Sequence, residues 1–78
     1  MDPEERTDLV GRLFALITAK LEDGAGRAID GQSAQTGFPA KSELASNLRS
    51  LAEELLILAE AAGALCNQVS VIARDLEV

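Results

Sequence analysis

Residues 44–76 read LASNLRSLAEELLILAEAAGALCNQVSVIARDL, and an apolar residue returns through them at alternating steps of four and three. The series is Leu44, Leu48, Leu51, Leu55, Leu58, Ala62, Leu65, Val69, Ile72 and Leu76. Unbroken 4-3 spacing is the mark of a helix packed lengthwise against other helices, because it keeps one stripe turned toward the neighbour. With Leu44 as d and Leu48 as a, the e positions carry Ala45, Ala52, Ala59, Cys66 and Ala73, so a stripe of small residues runs beside the leucine one. Leu56, Ile57, Ala61, Ala64 and Val71 fall outside a, d and e. A helix apolar on more than one face needs cover on more than one face.

Upstream, Asp2 followed by Pro3 is a helix start: the carboxylate accepts from free backbone amides, and proline suits the first helical position. Glu4, Glu5 and Asp8 set negative charge at the positive end of the helix dipole. Leu9, Val10, Leu13, Phe14, Leu16, Ile17 and Leu21 then recur at three and four, and Ala25, Ala28 and Ile29 prolong the stripe past Gly24 and Gly26. This predicts helix 1 over 3–30, ended by Gly31 as a left-handed cap. Residues 31–38 are polar, glycine-flanked and aperiodic, and predict the connecting loop. Helix 2 follows over 39–76, with Pro39 in its first turn or Ser42 as its start.

The expected architecture is all-α: an antiparallel hairpin of two long helices, one domain over 1–78, dimerising into a four-helix bundle. At 1.5 Å per residue helix 1 spans about 42 Å and helix 2 about 57 Å. Residues 67–76 are thus expected to project past Pro3, carrying Val69, Val71, Ile72 and Leu76 as exposed apolar surface, which marks an interface. One partner helix cannot cover such a helix 2; two hairpins can, and a two-fold homodimer is the commonest route to four helices from one short chain. The expected dimer or core residues are Phe14, Ile17, Leu51, Leu55, Leu58, Leu65, Val69, Ile72 and Leu76. The small stripes Ala45, Ala52, Ala59 and Gly11, Thr18, Ala25 are expected to face each other inside the hairpin, leaving the larger side chains for the dimer core.

Composition points the same way. Seventy-eight residues make one domain with a thin core, of the size that usually needs disulfides, metal or oligomerisation. A single cysteine makes no internal disulfide, and a chain without histidine lacks the usual structural zinc sets. Thirteen Ala and twelve Leu against two Phe, with no Trp or Tyr, favour helix over strand.

The same inventory narrows function. No histidine means no imidazole base, metal ligand or phosphorelay residue. Gly24-Ala25-Gly26 lacks the lysine and strand of a phosphate loop. Glu53 and Glu60 fall on outward f positions, so Glu53, Glu54 and Glu60 read as solvated face rather than a carboxylate metal cluster. Cys66 reads as a buried, alanine-like residue, with a reactive or intermolecular thiol the alternative. Phe38, beside Pro39, reads as a plug for the open end of the bundle, with a partner contact the alternative. No catalytic, cofactor-binding or metal-ligating residue is expected, and the chain is not read as an enzyme.

Net charge of −6 argues against generic binding to nucleic acid or anionic membranes. The acidic opening lacks a basic, apolar signal segment, and the longest apolar run, 55–66, carries Glu60 and is too short to span a bilayer. A cytoplasmic location is expected.

Arg6, Lys20 and Arg27 recur at multiples of seven with Leu13 between them, a basic ridge placed to flank the seam and pair with Glu43, Glu54 or Glu60. The alternative reading of that ridge is contact with nucleic acid, and in architecture alone the hairpin resembles the Rop-type RNA-binding hairpins. The leading expectation is a protein–protein interaction or regulatory module acting as a homodimer. A small chaperone or adaptor subunit lending helix 2 to an unidentified protein partner is a further alternative.

Overall fold

The computed structural model describes the backbone of residues 2–77 and the side chains of residues 2–67. Two helices, α1 (Pro3–Gln32) and α2 (Phe38–Glu77), pack against each other as a hairpin, and there is no strand among the described residues.

Local chemistry sets the ends. Asp2 stands in extended backbone and accepts a hydrogen bond from the Glu5 amide at 2.8 Å, with Pro3 opening α1 and Glu4 and Glu5 in its first turn. The far end differs from expectation. Gly31 is helical rather than a left-handed cap, and no glycine among the described residues has positive φ. α1 runs two residues further than the expected Asp30 because the Asp30 carbonyl finds partners without a reversal of the chain: it accepts from the Ser33 amide at 3.3 Å and from Thr36 Oγ1 at 3.0 Å. Residues 33–37 therefore make the connection, shorter than the expected 31–38. α2 begins at Phe38, where the Gly37 carbonyl accepts from the Lys41 amide at 2.9 Å and Pro39, having no amide hydrogen, leaves nothing unsatisfied.

The leucine ladder packs inside the hairpin. Leu44, Leu48, Leu51, Leu55, Leu58, Ala62 and Leu65 are the more covered positions of α2, and they face a 4-3 series on α1 made of Arg6, Val10, Leu13, Ile17, Lys20, Gly24 and Arg27. This corrects the expected small-on-small seam: Ala45, Ala52, Ala59 and Cys66, with Gly11, Thr18 and Ala25, all lie exposed. Leucine wins the seam because each additional buried methylene stabilises by about 0.8 kcal/mol. Close approach comes instead from Gly24, where an added Cβ would stand 2.8 Å from Leu51 Cδ2.

Gly24 opposite Leu51, Lys20 opposite Glu54, and Val10 beside Leu65 fix one antiparallel register along the seam. That seam is thin. Among the described residues Ala62 is the one fully buried apolar side chain, at 2% exposure. The radius of gyration is 18.0 Å, against about 11.5 Å for a compact domain of this length.

Candidate interaction surface

A two-helix seam has two flanks, and here they differ in character. On one, Leu21, Ala25 and Ala28 of α1 share a groove of about 360 Å³ with Ala52 of α2, floored by Leu48 and Leu51. Towards the open end of the hairpin Thr7 shares a smaller cleft of about 200 Å³ with Cys66. Heptad steps from these positions put Phe14 and Ala59 on the same flank, with Gly11, Thr18, Leu56 and Gly63 on its outer edge. Phe14, Leu21 and Leu56 are 54%, 55% and 59% exposed. Among the described residues charge enters the rim of this flank through Glu4 and through Arg49, which lies 3.7 Å from Glu53, while Arg6 and Lys20 line its clefts from the seam, Lys20 with its ammonium drawn across to Glu54.

The opposite flank is mixed. Asp23, Asp30, Glu43 and Asn47 line its grooves near the loop, and Lys20 reaches Glu54 across the seam at 2.6 Å. Beyond Glu54 the same flank carries the exposed Leu16 and Ile57.

Of the expected interface residues, Ile17, Leu51, Leu55, Leu58 and Leu65 lie half-buried in the seam between α1 and α2, while Phe14 faces outward on the apolar flank. Val69, Ile72 and Leu76, and with them the expected projection of residues 67–76 past Pro3, lie outside the residues whose side chains are described. Sequence periodicity placed Leu21 in a broad stripe without showing that it belongs to a flank; the signal was its spacing of seven from Phe14 and Ala28.

Arg6, Lys20 and Arg27 do not form a free ridge. They occupy half-buried seam positions themselves, and the stem of Lys20 lies beside Leu48, Leu51 and Leu55 while its ammonium reaches out to Glu54. Lys20 pairs with Glu54, one of the three expected acids, and Arg27 pairs within its own helix with Asp23 at 3.1 Å. Arg6 Nε is buried without a hydrogen-bond partner among the described residues.

One further expectation is corrected. Cys66 is exposed, because the ladder that fills the seam passes through Leu65 and leaves the next residue on the flank. Phe38, the first residue of α2, is 85% exposed in the single hairpin. Among the described residues no three potential metal ligands stand together, and no helix is long and apolar enough to cross a membrane. No protein-family model matches the chain, and no curated protein or solved structure matches it.

Proposed function

We propose that this chain is a non-enzymatic interaction module whose working form is a homodimeric four-helix bundle, two hairpins packed flank to flank. The observation that carries the reading is the exposed apolar surface. The hairpin exposes 5979 Å², whereas a compact monomer of 8.2 kDa exposes about 4,500 Å². A stable interface removes about 800 Å² from each partner, so the excess is larger than a dimer requires. Phe14, Leu21 and Leu56 are among the large apolar side chains that the seam leaves uncovered.

Interaction rather than catalysis follows from the side chains available. The apolar flank offers mainly methyl groups, with one aromatic ring, the hydroxyls of Thr7 and Thr18 and the Cys66 thiol, which bury well and have no acid–base partner set beside them among the described residues. Recognition of nucleic acid is disfavoured because Lys20 and Arg27 are already held by carboxylates. Light scattering coupled to size-exclusion chromatography tests the reading: a mass of two chains supports it, and a fully helical single chain at micromolar concentration overturns it.

A further inference from the structure

We propose that the second copy docks on the apolar flank with its loop at the same end as the first, Phe14 and Leu21 of each copy seating over Ala59 and Ala52 of the other. This rests on the bundle reading and adds to it a face and an orientation.

Size is distributed unevenly across that flank. Thr7, Phe14, Leu21 and Ala28 follow one another every seventh residue on α1, and Cys66, Ala59, Ala52 and Ala45 follow one another every seventh residue on α2 in the opposite direction. Thr7 shares a cleft with Cys66, and Leu21 and Ala28 share one with Ala52, so the two series run side by side at matching heights. Wherever α1 is large at the middle of the flank, α2 is small. Along its middle the flank therefore presents a ridge on α1 and a trough on α2, while at its outer edges the sizes reverse, with Leu56 and Arg49 on α2 against Gly11, Thr18 and Ala25 on α1.

A two-fold axis can relate two such surfaces in two ways. With the axis along the hairpin, α1 of one copy lies over α2 of the other at the same height, and ridge enters trough. With the axis across the hairpin, α1 lies over α1 and α2 over α2, so Phe14 and Leu21 meet each other while Ala52 and Ala59 face alanines. Helices packed through such unequal contacts cannot share one axis separation in the usual 8–10 Å range, and voids remain beside the alanines. Only the first arrangement fills the space.

Charge selects the face. The opposite flank would bring Asp23, Asp30 and Glu43 of both copies into one interface, whereas among the described residues this one carries no cluster of carboxylates: Glu4 and Arg49 lie at its margins, Arg6 lines one cleft, and Lys20 is drawn to Glu54 across the seam. Like charges brought together in an interface oppose assembly.

Orientation is read with a spin label on Gln35→Cys in a Cys66→Ala background, which preserves the alanine series and adds one probe in the loop. Loops at the same end give a single inter-label distance below about 30 Å, since neighbouring helix axes are about 10 Å apart. A distance above about 45 Å, the length of α1 at 1.5 Å per residue, overturns the orientation while leaving a dimer in place. Face is read by mass: Ala59→Arg returns the chain to a monomer at concentrations where Ile57→Arg, on the opposite flank, remains dimeric. The reverse result overturns the choice of flank. A parent chain that is monomeric overturns the bundle reading and this inference together.

Discussion

Lys20 Nζ lies 2.6 Å from Glu54 Oε2, and among the described residues this is the one ion pair that joins α1 to α2. It sits a turn from Gly24, whose missing side chain lets Leu51 approach. A charged residue and a glycine thus occupy neighbouring positions of the α1 ladder, and both are explained by what stands opposite them on α2.

Because the pair is partly exposed, with side chains 32% and 55% accessible, it contributes less than about 1 kcal/mol. Glu54→Gln is expected to lower stability by that amount or less in dilute buffer and by less still at 1 M salt. Lys20→Leu extends the apolar run Val10, Leu13, Ile17 by one position and is expected to stabilise by about 1 kcal/mol. Urea denaturation of the two variants at low and high salt checks both signs.

Gly26 has nothing within 4 Å of an added Cβ, whereas at Gly24 the Cβ would stand 2.8 Å from Leu51 Cδ2. Alanine in a helix interior is favoured over glycine by about 1 kcal/mol. Gly26→Ala is expected to raise the melting temperature by about 4–8 °C. Gly24→Ala gains less, because the Leu51 methyl has to move. Circular dichroism melts of the two variants side by side measure the difference.

The cap at Asp2 is a single carboxylate serving the Glu5 amide. Asp2→Ala is expected to cost about 1 kcal/mol. The loss should be local first, seen as faster hydrogen exchange at Glu5 and Arg6 with residues 20–30 of α1 unchanged.

Cys66 is exposed in the single hairpin and lies on the flank assigned to the second copy. Its reaction with a thiol reagent is therefore expected to slow as protein concentration rises through the dimerisation range. In Ala59→Arg the rate should be fast and independent of concentration. A rate unaffected by concentration in the parent chain places Cys66 outside the interface.

The periodicity of Leu44 to Leu65 was enough to predict a long helix packed against another, and Asp2-Pro3 was enough to predict where α1 starts. The partner of the ladder was not legible. Nothing in the local pattern says that Lys20, Gly24 and Arg27 stand opposite leucines, because a stem that lies along the seam and a head that leaves it look the same in sequence as a solvated residue. Nor did Gly31 signal its true role, since the hydroxyl of Thr36, six residues beyond Asp30, satisfies the carbonyl a left-handed cap would have served. Such contacts exist only once the loop has closed. The apolar flank was visible as a stripe of small residues, and its outward position emerges only when the ladder is seen to fill the seam.

The central claim is that the hairpin is half of the working structure. Sedimentation equilibrium of the full chain at micromolar concentration tests it most directly. The account predicts a mass twice the 8.2 kDa of one chain, with helicity and mass lost together on dilution. A species of 8.2 kDa that stays fully helical and unfolds cooperatively at every concentration would contradict it.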